Sequence, residues 1–155
     1  MILFLDFDGV THPEFCNYDD YFCKLPLIEE VLREYPAVDI VVSSTWRLEF
    51  ENETESIAQM RKHFSFDIAH RVIGVTPDLR SPERKREPSK WLERPRDREC
   101  MAWLHQYRTP GTPWIALDDT PEWFGDNTAQ VMIVNGTTGF TLEHEDEFRR
   151  RLDNA

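Results

Sequence analysis

The sequence predicts an α/β fold: one domain over residues 1–155, built on a mostly parallel five-stranded sheet with helices on both faces. Three observations carry this. Short apolar runs alternate with helical stripes, which is how strands joined by crossover helices read. The strand runs are apolar throughout, as strands buried on both faces are. A chain of 155 residues, 40% hydrophobic and 12% aromatic, fills one core and is too short for two ordinary domains.

The first strand is 2–5, apolar and ended by Asp6. Over 27–35, Ile28, Val31, Leu32 and Tyr35 recur at helical spacing, and Pro36 stops them. Residues 37–42 are rich in β-branched side chains and form the second strand. Asn52 with Glu55 marks a helix start, continued by Ile57, Met60 and Phe64 as one stripe. Residues 71–75 are the third strand, closed by Thr76 and Pro77. Residues 78–98 show no clear period. Cys100, Trp103, Leu104 and Tyr107 form the next stripe, and the proline- and glycine-bearing run 109–113 ends it. The fourth and fifth strands are 114–117 and 131–134. Thr141 suits the N-cap of a last helix carrying Phe148 and Leu152.

Composition narrows the function. Eighteen Lys and Arg against 29 Asp and Glu give a net charge of −11, which disfavours generic binding to a polyanion. No apolar run approaches the ~20 residues of a membrane span. Three cysteines without CxxC spacing argue against a disulfide scaffold and a zinc site. A cytoplasmic protein without a membrane partner is expected; oligomeric state is not legible.

In parallel sheets, ligands bind beyond the carboxyl ends of the strands. There the chain places Asp6-Phe7-Asp8-Gly9-Val10, then Ser43-Ser44-Thr45-Trp46-Arg47, then Asp118-Asp119-Thr120-Pro121. Each alone reads as a turn or a helix cap. Together they bring four carboxylates to one edge, where mutual repulsion destabilises them unless a cation or proton sits among them. Carboxylate oxygens are the ligands that Mg²⁺ prefers.

With ILFLDFDGV, DIVVSS and WIALDD in this order and spacing, the chain resembles the haloacid dehalogenase (HAD) superfamily of phosphotransferases. The finer pattern DGVxHP, SSTWR and ALDD resembles the HAD domains of Swiss Army Knife RNA-repair proteins. The resemblance spans residues 1 to about 135 and implies a Rossmann-like three-layer sandwich. It implies Asp6 as nucleophile, forming an aspartyl-phosphate, and Asp8 as general acid and base, its carbonyl also ligating Mg²⁺. Gly9 would admit backbone close to the phosphate. Ser43, or Ser44 if the strand runs longer, would hold a phosphoryl oxygen. Asp118 and Asp119 would complete the Mg²⁺ site with Asp6. The family's third-motif cation falls on Arg98, which leads directly into the Cys100 stripe, with Arg96 the nearby alternative. Arg47 is a further candidate for phosphate binding, or else a solvated helix-start residue.

About thirty residues separate Asp8 from the second strand, and 78–98 is short for a domain. This resembles the HAD members without a cap domain, whose open sites serve large phosphorylated substrates such as phosphoproteins or RNA or DNA ends. Residues 80–98 carry eight basic against four acidic residues on an otherwise acidic chain, with Trp91 able to stack on a base. The same charges suit a solvated loop paired with the acidic body. The expected function is a Mg²⁺-dependent phosphohydrolase. The alternative is a phospho-accepting or inactive HAD-like regulatory domain, which Asp8 disfavours, since a receiver domain lacks that second carboxylate.

Overall fold

The computed structural model describes residues 1–79 and 95–155. Five strands, β1 (Ile2–Leu5), β2 (Asp39–Val42), β3 (Val72–Val75), β4 (Trp114–Asp118) and β5 (Val131–Ile133), form one sheet in the order β3-β2-β1-β4-β5. Every pairing is parallel, so the expectation of a mostly parallel sheet is met in full. The helices are α1 (Leu25–Glu34), α2 (Glu53–Arg61), α3 (Phe66–Ala69), α4 (Pro95–Tyr107) and α5 (Glu145–Asn154). The fold is a compact Rossmann-like sandwich. Among the described residues there is no cap domain.

Strand periodicity splits the core into two layers. Leu3, Leu5, Ile40, Val42, Ile115 and Leu117 pack with Ile28, Val31 and Leu32 of α1 and Phe148 and Leu152 of α5. Ile2, Phe4, Val41 and Ala116 face the other way, against Cys100, Trp103 and Leu104 of α4. The register supports this division, with Leu3 opposite both Ile40 and Ile115 and Phe4 opposite both Val41 and Ala116. Gly74 lets α4 approach closely: a Cβ there would lie 2.7 Å from the Trp103 indole nitrogen.

Several element signals hold. Asn52 caps α2, its Oδ1 accepting from the Glu55 N–H at 2.9 Å. The helix ends at Arg61, so Phe64 of the expected stripe lies beyond it yet stays buried. Thr141 precedes a short 3₁₀ turn, Leu142–His144, that leads into α5. Two features were not legible as read. The four-residue α3 is too short to show a period, and α4 begins at Pro95, five residues before the stripe that marks it. Proline at a first helical position, with Asp97 and Glu99 close behind, is the signal that locates this start.

Candidate active site at the carboxyl edge of the sheet

β1 and β4 are adjacent and parallel, so their carboxyl ends present Asp6 and Asp118 side by side. The ladder continues past β1, with the Asp6 N–H donating to the Leu117 carbonyl at 3.1 Å. Carboxylate oxygens of Asp6, Asp118 and Asp119 all lie within 4.8 Å of one another. Asp6 is 4% exposed and Asp118 fully buried. Burial pushes Asp118 up, to about 8; Arg96 pulls it down, and Asp6 and Asp119 add to the rise. Burial also raises Asp119, with Asp6 and Glu14 contributing and the Thr120 hydroxyl opposing. With Asp118 and Asp119 both pushed up, this is a site that gains from a cation. These three side chains fit a hard divalent ion of the Mg²⁺ type.

Glycines shape the ground around Asp119. Gly9 has φ +68°, a left-handed conformation that other residues adopt with strain. A Cβ there would lie 2.2 Å from Asp119 Oδ2, and one at Gly136 would lie 2.4 Å from the same oxygen. Gly9 was expected to leave space for phosphate; the neighbour it demonstrably clears is Asp119.

Arg96 is the cation of the cluster. Its Nη1 lies 2.8 Å from Asp118 Oδ2, 3.0 Å from Asp6 Oδ2 and 3.4 Å from Ser43 Oγ, and its guanidinium stands 4.9 Å over the Trp123 ring. Burial draws Arg96 down, but Asp6 and Asp118 more than reverse it, so it stays charged. Arg98, favoured from sequence, is exposed. The difference in placement comes from the early start of α4. Arg96 shares a face with Cys100 and Trp103, both buried, while two residues further on the helix has turned Arg98 to solvent.

Arg47 is also placed differently from expectation. It is buried, and its donors are spent on the carbonyls of Thr76 (2.7 Å), Ser43 (2.6 Å), Ser44 (2.7 Å) and Pro77 (3.4 Å) and on Glu99 (2.5 Å). It binds the ends of β2 and β3 to α4 rather than offering a free guanidinium to phosphate. Ser43 is buried beside Arg96, whereas the Ser44 hydroxyl faces the turn Thr45–Glu49 and accepts from the Trp46 N–H at 3.5 Å. Of the two serines, only Ser43 reaches the cluster. Of the basic segment, Arg80, Arg84, Lys85, Arg86, Lys90, Trp91 and Arg94 lie outside the described residues.

Asp8 is fastened by two residues to which the sequence reading gave no role. His12 Nε2 lies 3.1 Å from Asp8 Oδ1, and Trp46 Nε1 donates to Oδ2 at 3.0 Å. The other His12 nitrogen, Nδ1, faces the Phe22 N–H at 3.4 Å. That N–H can only donate, and the Thr11 hydroxyl 3.1 Å from the same nitrogen can donate as well, which suits the tautomer whose Nε2–H donates to Asp8. His12 and Trp46 stand in the DGVxHP and SSTWR patterns, so a signal for both was present.

A family model described as the HAD domain in Swiss Army Knife RNA repair proteins matches residues 2–144. The chain belongs to this family. No match was found among curated proteins or among solved structures. At the coarse level, membership places this HAD domain with the HAD-type phosphohydrolases and associates it with RNA repair. Its Asp6–Asp118–Asp119 cluster stands at the strand ends where a parallel sheet binds its ligands.

Proposed function

We propose that this HAD domain is a Mg²⁺-dependent phosphomonoester hydrolase acting on an accessible phosphate of a large substrate, a nucleic-acid end. The observation that carries the reading is the pairing of two carboxylates of unlike environment. Asp6 is buried beside Asp118, Asp119 and Arg96; Asp8 is half exposed and held by His12 and Trp46.

Asp6 is the nucleophile. Its carboxylate oxygen forms a bond to phosphorus as the ester P–O bond breaks, leaving an aspartyl-phosphate. Asp8, protonated, gives its proton to the departing oxygen. Asp8, now a carboxylate, takes a proton from water, which attacks phosphorus and releases phosphate and Asp6. Arg96 and Ser43 hold charge on the transferred group from the buried side. Asp6, Asp118, Asp119 and the Asp8 carbonyl would hold Mg²⁺, which when bound neutralises the repulsion between carboxylate and phosphate. The Asp8 clamp supports turnover over a passive phospho-accepting role, since only the leaving and hydrolysis steps need a positioned acid and base.

The test is release of p-nitrophenol from p-nitrophenyl phosphate. Activity should require Mg²⁺, vanish on chelation and be lost in Asp6→Asn. A wild-type rate in Asp6→Asn, or full activity after exhaustive chelation, would refute the proposal.

A further inference from the structure

We propose that Tyr18 and Tyr21 form a leaving-group subsite that stacks the terminal nucleobase of a phosphorylated polynucleotide. This deepens the phosphohydrolase reading and rests on it.

The connection between β1 and α1 carries three exposed aromatic side chains: Phe15 at 87%, Tyr18 at 82% and Tyr21 at 37% exposure. Phe15 and Tyr18 are too exposed to add to the core, and Tyr18 and Tyr21 are ordered into a path that ends at Asp8. Tyr18 and Tyr21 have centroids 5.3 Å apart, Tyr21 and Trp46 are 5.3 Å apart, and Trp46 donates to Asp8 Oδ2. Tyr21 also lies over the His12 ring at 4.8 Å with a tilt of 36°. Both residues that fasten Asp8 therefore support Tyr21 on their outer side.

The loop is built to hold this arrangement. Phe22, next to Tyr21, has φ +62°, a conformation disfavoured for a bulky residue. Its ring is stacked on His63 at 4.0 Å and set edge-on to Phe7 and Trp46, and its N–H faces His12. Such a backbone persists only where packing over-determines it, and here the packing fixes the residue that presents Tyr21.

Position then assigns the role. Asp6 attacks phosphorus from one side, and Asp8 protonates the oxygen that departs on the other. A group esterified through that oxygen passes Asp8 and meets Tyr21, then Tyr18. Exposed rings in a row receive a planar partner, and every base offers a π-face. Charge refines the choice. Asp19 and Asp20 are exposed in the turn that carries Tyr18, so a run of backbone phosphates is repelled there. The subsite therefore takes the single terminal base, not a tracked strand.

The decisive comparison uses short RNAs phosphorylated at one end, 3′ or 5′, whose terminal nucleotide either keeps its base or is abasic. The wild-type protein should show roughly tenfold or greater preference in kcat/KM for the base-bearing RNA, carried by KM. Because stacking, not charge, sets that preference, raising salt should leave the ratio unchanged. Tyr18→Ala and Tyr21→Leu should each collapse the ratio towards one. Tyr18→Ala keeps the measurement decisive if Tyr21→Leu fails to fold. Equal turnover of both RNAs by the wild type would overturn this inference alone. So would a higher kcat/KM on a tyrosine-phosphorylated peptide than on either RNA. No turnover of any phosphate ester would instead overturn the phosphohydrolase reading, and this inference with it.

Discussion

Asp8 shows how a surface carboxylate becomes a directed one. Its side chain is 42% exposed, yet each oxygen has its own donor, His12 Nε2 or Trp46 Nε1. Trp46→Phe keeps an aromatic ring, though a smaller one, and removes one donor. A hydrogen bond to a charged group contributes about 1.5–3 kcal/mol, so kcat should fall roughly tenfold or more, with the fold intact by circular dichroism. The arginines make a sharper contrast. Arg96→Ala leaves Asp6 and Asp118 without their cation and should cut turnover at least a hundredfold on order-of-magnitude grounds. Arg98→Ala, at an exposed position, should stay within about twofold. Comparable losses in both variants would contradict the placement of Arg96 as the cation of the cluster.

At the scale of elements, the site depends on three strand ends held in register, and Arg47 holds two of them. It joins carbonyls after β2 and β3 to Glu99 on α4, whose first turns also carry Arg96. Arg47→Ala leaves Glu99 buried without its guanidinium partner, with only the Leu79 N–H still donating to it among the described residues. Such a loss costs about 3–5 kcal/mol and should appear as a lower midpoint in urea. A stability within 1 kcal/mol of wild type would mean that the Arg47 network does not brace the sheet. This role was hidden because an arginine after a strand reads alike as phosphate ligand or solvated cap; its acceptors are backbone carbonyls that only the folded chain gathers. The strand-end carboxylates were legible because a strand's direction alone fixes where its last residue points. Pro95 marked the start of α4, but the apolar stripe beginning at Cys100 drew the boundary inward, and with it the choice of Arg98. His12 and Trp46 were visible as pattern and silent as chemistry, since their partnership with Asp8 spans 38 residues in one case and four in the other.

The whole molecule carries a net charge of −11 and gathers several carboxylates at one edge, so its stability is tied to what lies among them. Burial pushes Asp118 up to about 8 in the fold, against 3.8 ordinarily. The folded state thus binds the extra proton between those values, and this group's contribution to metal-free stability falls as pH rises through that window. A divalent ion bound among these carboxylates would take the proton's place. Mg²⁺ should therefore raise Tm, and more near pH 8 than near pH 6. An increment that is absent, or larger at the lower pH, would contradict a Mg²⁺ site at Asp6, Asp118 and Asp119.

The proposed mechanism requires that Asp6 take the phosphoryl group during turnover. Mass spectrometry of acid-quenched protein reads this directly, sampled during hydrolysis of p-nitrophenyl phosphate with Mg²⁺ present, because p-nitrophenolate departs without needing the Asp8 proton. That mechanism predicts one added phosphoryl group on the peptide that contains Asp6, more of it in Asp8→Asn, which lacks the base for the second step, and none in Asp6→Asn. A phosphoryl group on another residue, or steady turnover by the wild type with no phosphorylated peptide in either it or Asp8→Asn, would contradict it.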